Sequence, residues 1–574
     1  MSDKNENLVP DVNVSMVPSS RTKFGLIHQK TMEVLEGLSD DELRIPSIVE
    51  TELLEQCNLM LEAENINRDS HKWRYLDELL PSQIADAILM AYPIVRVAGT
   101  DELRDGATDL IAIYQEDGPD KGIYSSDETL LRNLIRQYSY KMTTKDVNEV
   151  ISILQDTLPR KEVCIQPNLL AVNNGIFDYD TKELLDFNPD FVFLSKSKVN
   201  YNDKATNMVI HNPADGTDWD VESWMDDLTD DPEITNLLWQ ILGAIVRPNV
   251  SWNKSAWFYS ESGNNGKGTL CELMRQLCGR GSYASISLAD FGKDFMLEPL
   301  IRATAIIVDE NDVGTYIDKA ANLKAVITGD TIFINRKFKS PIAYQFKGFM
   351  VQCLNEMPRI KDKSDSFFRR QLFVPFTKCF TGRERKYIKN DYLHRPEVLE
   401  YVLYKVLNMD YYELDTPSAC VDALNEYKSY VDPVRAFLED IMPKVKWDLL
   451  PFSFLYDLYV AWYRATNVGD HNIKSNRSFS KDVKLLIESE YPTWSNTGEA
   501  MRVGSRMNDA EPLIMEYDLK NWQNPLYASD RDVEKRCHPL TLSDKYRGIY
   551  RLIPQQGSDE DLEQIGHDID QQED

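Results

Sequence analysis

The stretch Trp257-Phe258-Tyr259-Ser260-Glu261-Ser262-Gly263-Asn264-Asn265-Gly266-Lys267-Gly268-Thr269 constrains this chain more than any other. An apolar, aromatic run that reads as a strand meets a Gly/Asn loop ending in Gly-Lys, and Leu270 to Leu277 follow at helical spacing. Strand, glycine loop and helix in that order aim backbone N–H groups and a helix N-terminus at an anion, with a lysine to neutralise it. The expected phosphate contacts are Gly263, Asn264, Asn265, Gly266, Lys267, Gly268 and Thr269.

The usual nucleotide loop has Gly five residues before its second Gly and Ser or Thr after the lysine. Here Glu261 and Gly268 stand at those places, so Thr269 becomes the nearest hydroxyl for Mg²⁺. Taken alone, the loop also reads as a glycine-rich turn with a solvated Lys267. Some forty residues on, Thr304 to Val308 is a continuous apolar run, as a buried parallel strand would be, and it ends in Asp309-Glu310. In a site that hydrolyses ATP, Asp309 would sit beside Mg²⁺ and Glu310 would polarise the attacking water. A third apolar run, Phe349 to Leu354, leads to Asn355, an amide suited to orienting that water or the terminal phosphate. Fourteen residues after Asn355, Arg369-Arg370 precede a further strand. An arginine there, at a subunit boundary, would stabilise transition-state charge on a neighbour's nucleotide; the plainer reading is an ordinary surface pair.

The order Asn265-Gly266-Lys267, Asp309-Glu310, Thr328-Gly329-Asp330, Asn355, Arg369-Arg370 resembles superfamily 3 helicases. It is most similar to the primase–helicases of phages, satellite phages and plasmids, relatives of the poxvirus primase–helicase and of pathogenicity-island replication initiators. Asn173 to Leu184 resembles the Asn-Gly hairpin that precedes the motor in that family. The resemblance spans roughly residues 100–550 and is strongest over 255–376. It implies an α/β fold: an AAA+ P-loop core, a mixed α+β N-terminal and collar region, and a C-terminal winged-helix-like domain. It also implies a hexameric ring that uses ATP and Mg²⁺ to move on single-stranded DNA.

Charge has to agree with that. The chain of 574 residues has a formal net charge of −29, which is unusual for a DNA binder. The imbalance is not uniform. Residues 236–379 hold 19 Lys and Arg against 13 Asp and Glu, a net of +6 that leaves −35 for the remainder. An acidic exterior with a basic channel discourages indiscriminate binding to nucleic acid; a solvated charged face is the bland alternative. The sharpest channel candidate is Thr331 to Phe346, which alternates like a hairpin around a basic tip. Arg336, Lys337 and Lys339 would meet phosphates and Phe338 would stack on a base. An edge hairpin protected by lysines is the competing reading.

Patterning divides the chain into a polar tail (1–22), a mainly helical region (23–162), a small β-rich collar (163–231), the motor (232–428), a winged-helix-like region (429–552) and an acidic tail (553–574). In the C-terminal region an amphipathic helix from Phe452, a polar turn and a basic helix place Arg477, Lys481 and Lys484 near one face, able to enter a DNA groove. Asp178 and Asp180 lie in Asp-Tyr-Asp-Thr-Lys, which is turn chemistry rather than a polymerase acid pair. The eight cysteines show no Cys-x-x-Cys spacing, no apolar run is long enough to span a bilayer, and the N-terminus has no secretory core. The expected setting is cytoplasmic, in a bacterial host if the chain comes from a phage or mobile element, with host replication proteins as further candidate partners.

Three functions stand at this point. The first is an ATP-driven replicative helicase that also acts as an origin-binding initiator. The second is a primase–polymerase with an attached motor. The third is a non-catalytic, nucleotide-dependent origin-binding scaffold.

Overall fold

A computed structural model describes residues 22–66, 68, 70–97, 109–337, 339–466 and 473–553, with Lys339 and Ser340 described in backbone only. The expected tails other than Thr22 and Ile553, Phe338 and part of the polar turn after Phe452–Thr466 lie outside the described residues. One compact unit takes in the described residues up to Asp362 together with Arg369–Cys420; a second takes in Lys363–Phe368 and those from Val421 onward.

The first unit begins with helices whose starts are written in the sequence. Thr22 caps Lys23–Gly37, Asp127 caps Glu128–Tyr138, and Thr143 caps Thr144–Thr157 with Asp146 answering in a capping box. Ser126 to Leu154, whose apolar spacing is helix-like throughout, is broken into those last two helices. They share a core with Pro46–Ile66 and Pro81–Ala91, through Leu53, Ile84, Ile88, Ile135 and Val150. A four-stranded sheet, ordered Tyr124–Ser125, Leu110–Tyr114, Ile94–Val97, Arg160–Lys161, completes this part.

Next, Leu169–Val172, Gly175–Asp178 and Glu183–Leu185 form an antiparallel ladder. At its second turn Asp178 Oδ1 accepts the Asp180 N–H at 3.0 Å and the Asn168 amide at 3.1 Å. Asp180 accepts the Tyr412 hydroxyl. Both carboxylates are therefore engaged in holding the turn.

Helix Pro232–Val246, with Asp231 as cap and proline in its first turn, is buried almost all round and leads into a five-stranded parallel sheet. Numbered in chain order, the strands are Ser255–Tyr259, Tyr283–Ala284, Ala305–Val308, Phe349–Leu354 and Gln371–Pro375. Their spatial order is second, third, fourth, first, fifth. Ala256, Phe258, Ile307, Val351 and Val374 are 4% exposed or less and pack under Leu270, Leu273, Met274 and Leu277 of helix Lys267–Cys278. Each of these side chains larger than alanine contributes about 1.5–3 kcal/mol on burial, so the loop joining first strand to helix is fixed on both sides by core.

The second unit runs helix Pro433–Ile441, strand Leu449–Pro451, helices Phe452–Thr466 and Asn476–Glu490, strand Trp494–Asn496, and, after a long insertion, strand Gly548–Arg551. Its sheet is antiparallel with the last strand in the middle. The core is aromatic: Phe437, Trp447, Phe454, Tyr459 and Phe479 are all fully buried. Within the insertion, Met501–Arg502 pairs with Lys545–Tyr546. Glu511, fully buried, ties the insertion down by accepting the Lys446 and Trp447 N–H groups at 2.8 and 3.1 Å.

Candidate functional site

The loop, the carboxylates and the amide emerge from the carboxyl ends of three adjacent strands: first, third and fourth. Ligands of open parallel sheets sit outside those ends. The loop itself needs two left-handed residues, Asn264 at φ 55° and Gly266 at φ 87°. A Cβ on Gly266 would lie 2.5 Å from Leu228 Cδ2, so both backbone and space demand glycine there. Asn265, buried, accepts the Lys267 N–H with its side-chain oxygen at 3.4 Å and donates to Ser262 O, stiffening the turn.

Lys267 is 4% exposed. Its ammonium donates to Leu354 O and Asn355 Oδ1, both at 3.1 Å, and to Ser260 O at 3.4 Å. Burial pushes its pKa down. A desolvated ammonium held only by neutral oxygens at a helix N-terminus is matched to an anion of several charges. The donor set thus fits a nucleotide polyphosphate.

Asp309 and Glu310 are both exposed at the end of the third strand. Asp309 is paired with Arg275 of the loop helix at 3.1 Å, and Arg275 also reaches Glu272 at 3.5 Å. Sequence reasoning missed this arginine, although its helical position two turns after Lys267 is the signal that could have found it. Also missed was Asn311, 5% exposed, whose amide donates to Gln352 Oε1 and Cys353 O, both at 3.0 Å. That clamp fixes the segment after Glu310 against the fourth strand. Thr269 is half-buried in the first helical turn, next to Gly268.

Arg369 and Arg370 are not brought to this group. Arg370 O accepts the Ser255 N–H at 2.8 Å, and Gln371 pairs with Ser255 while Pro375 pairs with Tyr259. The pair therefore stands at the opposite end of the sheet, about 16 Å away at the rise of a strand.

The hairpin is formed by Thr331–Arg336 and Lys339–Gln345, antiparallel, with a register shift between Ile334 and Arg336. Lys337 is exposed and Arg336 half-buried beside the tip. Ile332 and Ile334 face inward, which leaves Phe333 67% exposed on the outer face. Asn335 ties the hairpin to Asp294 at 3.1 Å, beside exposed Phe295. In the second unit, Arg477 and Lys481 are exposed on helix Asn476–Glu490, and Lys484 lies 5.2 Å from the Phe452 ring.

Family comparisons fall in the same order along the chain. A model described as D5 N terminal like matches residues 62–240, a family of unknown function matches 258–370, and a model described as Poxvirus D5 protein-like matches 430–521. A protein of Acanthamoeba polyphaga mimivirus named "Putative helicase L207/L206" is 23% identical over 393 residues, 61% of this chain and 38% of that protein. The chain therefore spans well under half the length of that relative. Among solved structures, an apo form of the NrS-1 C terminal region aligns at 13% identity and TM-score 0.39, covering 82% of this chain and 100% of that one. A second apo form of that region aligns at 12% identity and TM-score 0.37, covering 72% and 90%. With a match to the D5 N terminal like model before the Gly263–Thr269 loop and one to the Poxvirus D5 protein-like model after it, the chain is similar to the phage and viral primase–helicase family.

Proposed function

We propose that this protein is an ATP-dependent DNA helicase of superfamily 3, working as a ring, and that its C-terminal region binds duplex DNA at an origin. The observation that carries the reading is the strand order, with the Asn355 strand inserted between the Asp309 strand and the phosphate-loop strand. That order supports an AAA+ core, in which Asn355 would be a sensor amide between the water-orienting carboxylate and the phosphates.

In this reading Lys267 and the helix N-terminus hold the phosphates, Asn355 reads the terminal one, and Glu310 orients the water. Thr269 and Asp309 would hold Mg²⁺, which supplies Lewis-acid polarisation of the phosphate when bound. The Arg275 guanidinium, paired with Asp309 Oδ1, would compete with Mg²⁺ for that carboxylate. Arg369 and Arg370, remote from their own loop, serve the neighbouring subunit. The hairpin tip, with Arg336, Lys337, Phe338 and Lys339, tracks the strand, and exposed Phe333 adds a stacking surface. The second unit runs helix, strand, helix, helix, strand, strand with the last strand central, an order that supports a winged-helix reading in which residues 497–547 would be an enlarged wing. Arg477, Lys481 and Lys484 are then its groove contacts.

ATP hydrolysis with and without single-stranded DNA, on wild type, Lys267→Ala and Glu310→Gln, tests the reading. DNA-stimulated turnover abolished in both variants supports it. ATP binding without turnover in the wild type would instead favour the scaffold function, to which the Asp309–Arg275 pair lends some weight. Primer synthesis rests on the family alone, and a nucleotidyl-transfer assay on Glu310→Gln separates it from the motor.

A further inference from the structure

Beyond the fifth strand the chain does not leave the site. It turns back across the phosphate loop. The Phe380 N–H donates to Asn264 O at 2.7 Å, and the Asn264 amide donates to Thr381 Oγ1 at 3.2 Å and Glu384 Oε1 at 3.1 Å. The Phe380 ring lies beside Gly266, 3.7 Å from where its Cβ would be. Leu228 closes the other side. The returning segment is rich in positive charge, with Lys378, Arg383, Arg385, Lys386 and Lys389 against Glu384. It ends in a short helical turn, Lys386–Asn390.

Lys389 in that turn is the informative residue. A Cβ built on Gly268 would find one neighbour within 4 Å, the Lys389 ammonium at 3.7 Å. The ammonium thus stands over the position that carries Ser or Thr in the usual loop. Its backbone is anchored, since Lys389 O lies 3.0 Å from His394 Nε2 and buried Ile388 packs into the core beside it. Yet the Lys389 ammonium makes no hydrogen bond or ion pair with any described residue. The acidic groups of the loop helix and of the returning segment have other partners: Glu272 is near Arg275 and His394, at 3.5 and 3.6 Å, Glu384 accepts from Asn264, and Asp391 pairs with Arg395 at 2.7 Å. An unpartnered ammonium standing over the first turn of a phosphate-loop helix has one obvious complement, a phosphate oxygen.

We propose that Lys389 is a second phosphate-binding lysine, acting on the nucleotide from within its own chain and occupying the room left by the side chain that Gly268 lacks. This rests on the nucleotide-site reading above. It accounts for an otherwise defective loop: the lost hydroxyl is offset by an added positive charge, delivered by the segment after the fifth strand. Because its partner is phosphate rather than the base or sugar, its contribution grows with the number of phosphates.

The test is equilibrium binding of ATP, ADP and AMP to the full chain, comparing wild type, Lys389→Met and Lys389→Arg, with far-UV circular dichroism as the check on folding. The expected result is that Lys389→Met weakens ATP about tenfold, a single charge-assisted contact. ADP should be weakened less and AMP little, and Lys389→Arg should keep most of the ATP affinity. Equal weakening of all three nucleotides would make Lys389 a structural prop and overturn the proposal, as would unchanged ATP affinity in Lys389→Met. Failure of the underlying site reading looks different: the wild type itself would then bind no ATP, or bind it as well as Lys267→Ala does.

Discussion

At Gly266 the backbone sits at φ 87° and an added Cβ would meet Leu228 at 2.5 Å, whereas at Gly268 an added Cβ meets only the flexible end of Lys389 at 3.7 Å. The two glycines therefore respond oppositely to alanine. Gly266→Ala should cost on the order of 1–2 kcal/mol from the left-handed backbone, before any displacement of Leu228. Gly268→Ala removes unfolded-state freedom in a helical residue with space around it and should stabilise by about 0.5–1 kcal/mol. Thermal or denaturant unfolding of both variants checks this, and a Gly266→Ala protein as stable as wild type would refute the geometry of the loop. Buried Glu511 gives a second case. Its carboxylate takes two backbone N–H groups in the second unit, so Glu511→Ala should lose about 2–4 kcal/mol by orphaning them. Denaturant unfolding followed by tryptophan fluorescence would measure that loss, because Trp447 lies at the contact.

Elements with their own local signals could be read from the chain. Asp231-Pro232 announces a helix that is found at Pro232–Val246, and Asp432-Pro433 announces one found at Pro433–Ile441. The alternating run around the basic tip is the hairpin found at Thr331–Gln345. Other features have no local signal. Leu449–Pro451 and Trp494–Asn496 are three residues each, too short to show period two, and become strands only because Gly548–Arg551 lies between them. The Asn355 strand's place between two earlier strands, the Arg275–Asp309 pair and the approach of Lys389 to Gly268 all depend on long-range packing. Phe333 is an intermediate case: its alternation with Ile332 and Ile334 could be read, but not which face is outward. The outward face carries an element-scale prediction. Phe333→Ala should lower single-stranded DNA affinity by about 1–3 kcal/mol if a base stacks there. Fluorescence anisotropy with a labelled oligonucleotide would measure it, and unchanged affinity would remove Phe333 from the DNA path.

At the scale of the whole molecule, the proposed hydrolysis places a requirement on assembly. The Gly263–Thr269 loop lies at the carboxyl end of the sheet and Arg369-Arg370 at the other, so a chain's own arginines stand away from its own loop. If these arginines stabilise charge during hydrolysis, each active site is composite, built from the loop of one subunit and the arginines of the next. Lys267→Ala subunits would then lack a loop but still offer arginines, and Arg369→Ala/Arg370→Ala subunits the reverse. Each protein alone should be nearly inactive in ATP hydrolysis. Mixed in equal amounts and allowed to exchange subunits, they should regain roughly a quarter of wild-type turnover, the fraction of interfaces that random mixing makes complete. Recovery should rise and fall with total protein concentration as rings form and dissociate. If mixed rings form, as judged by light scattering, and no activity returns, the arginines do not act across the interface.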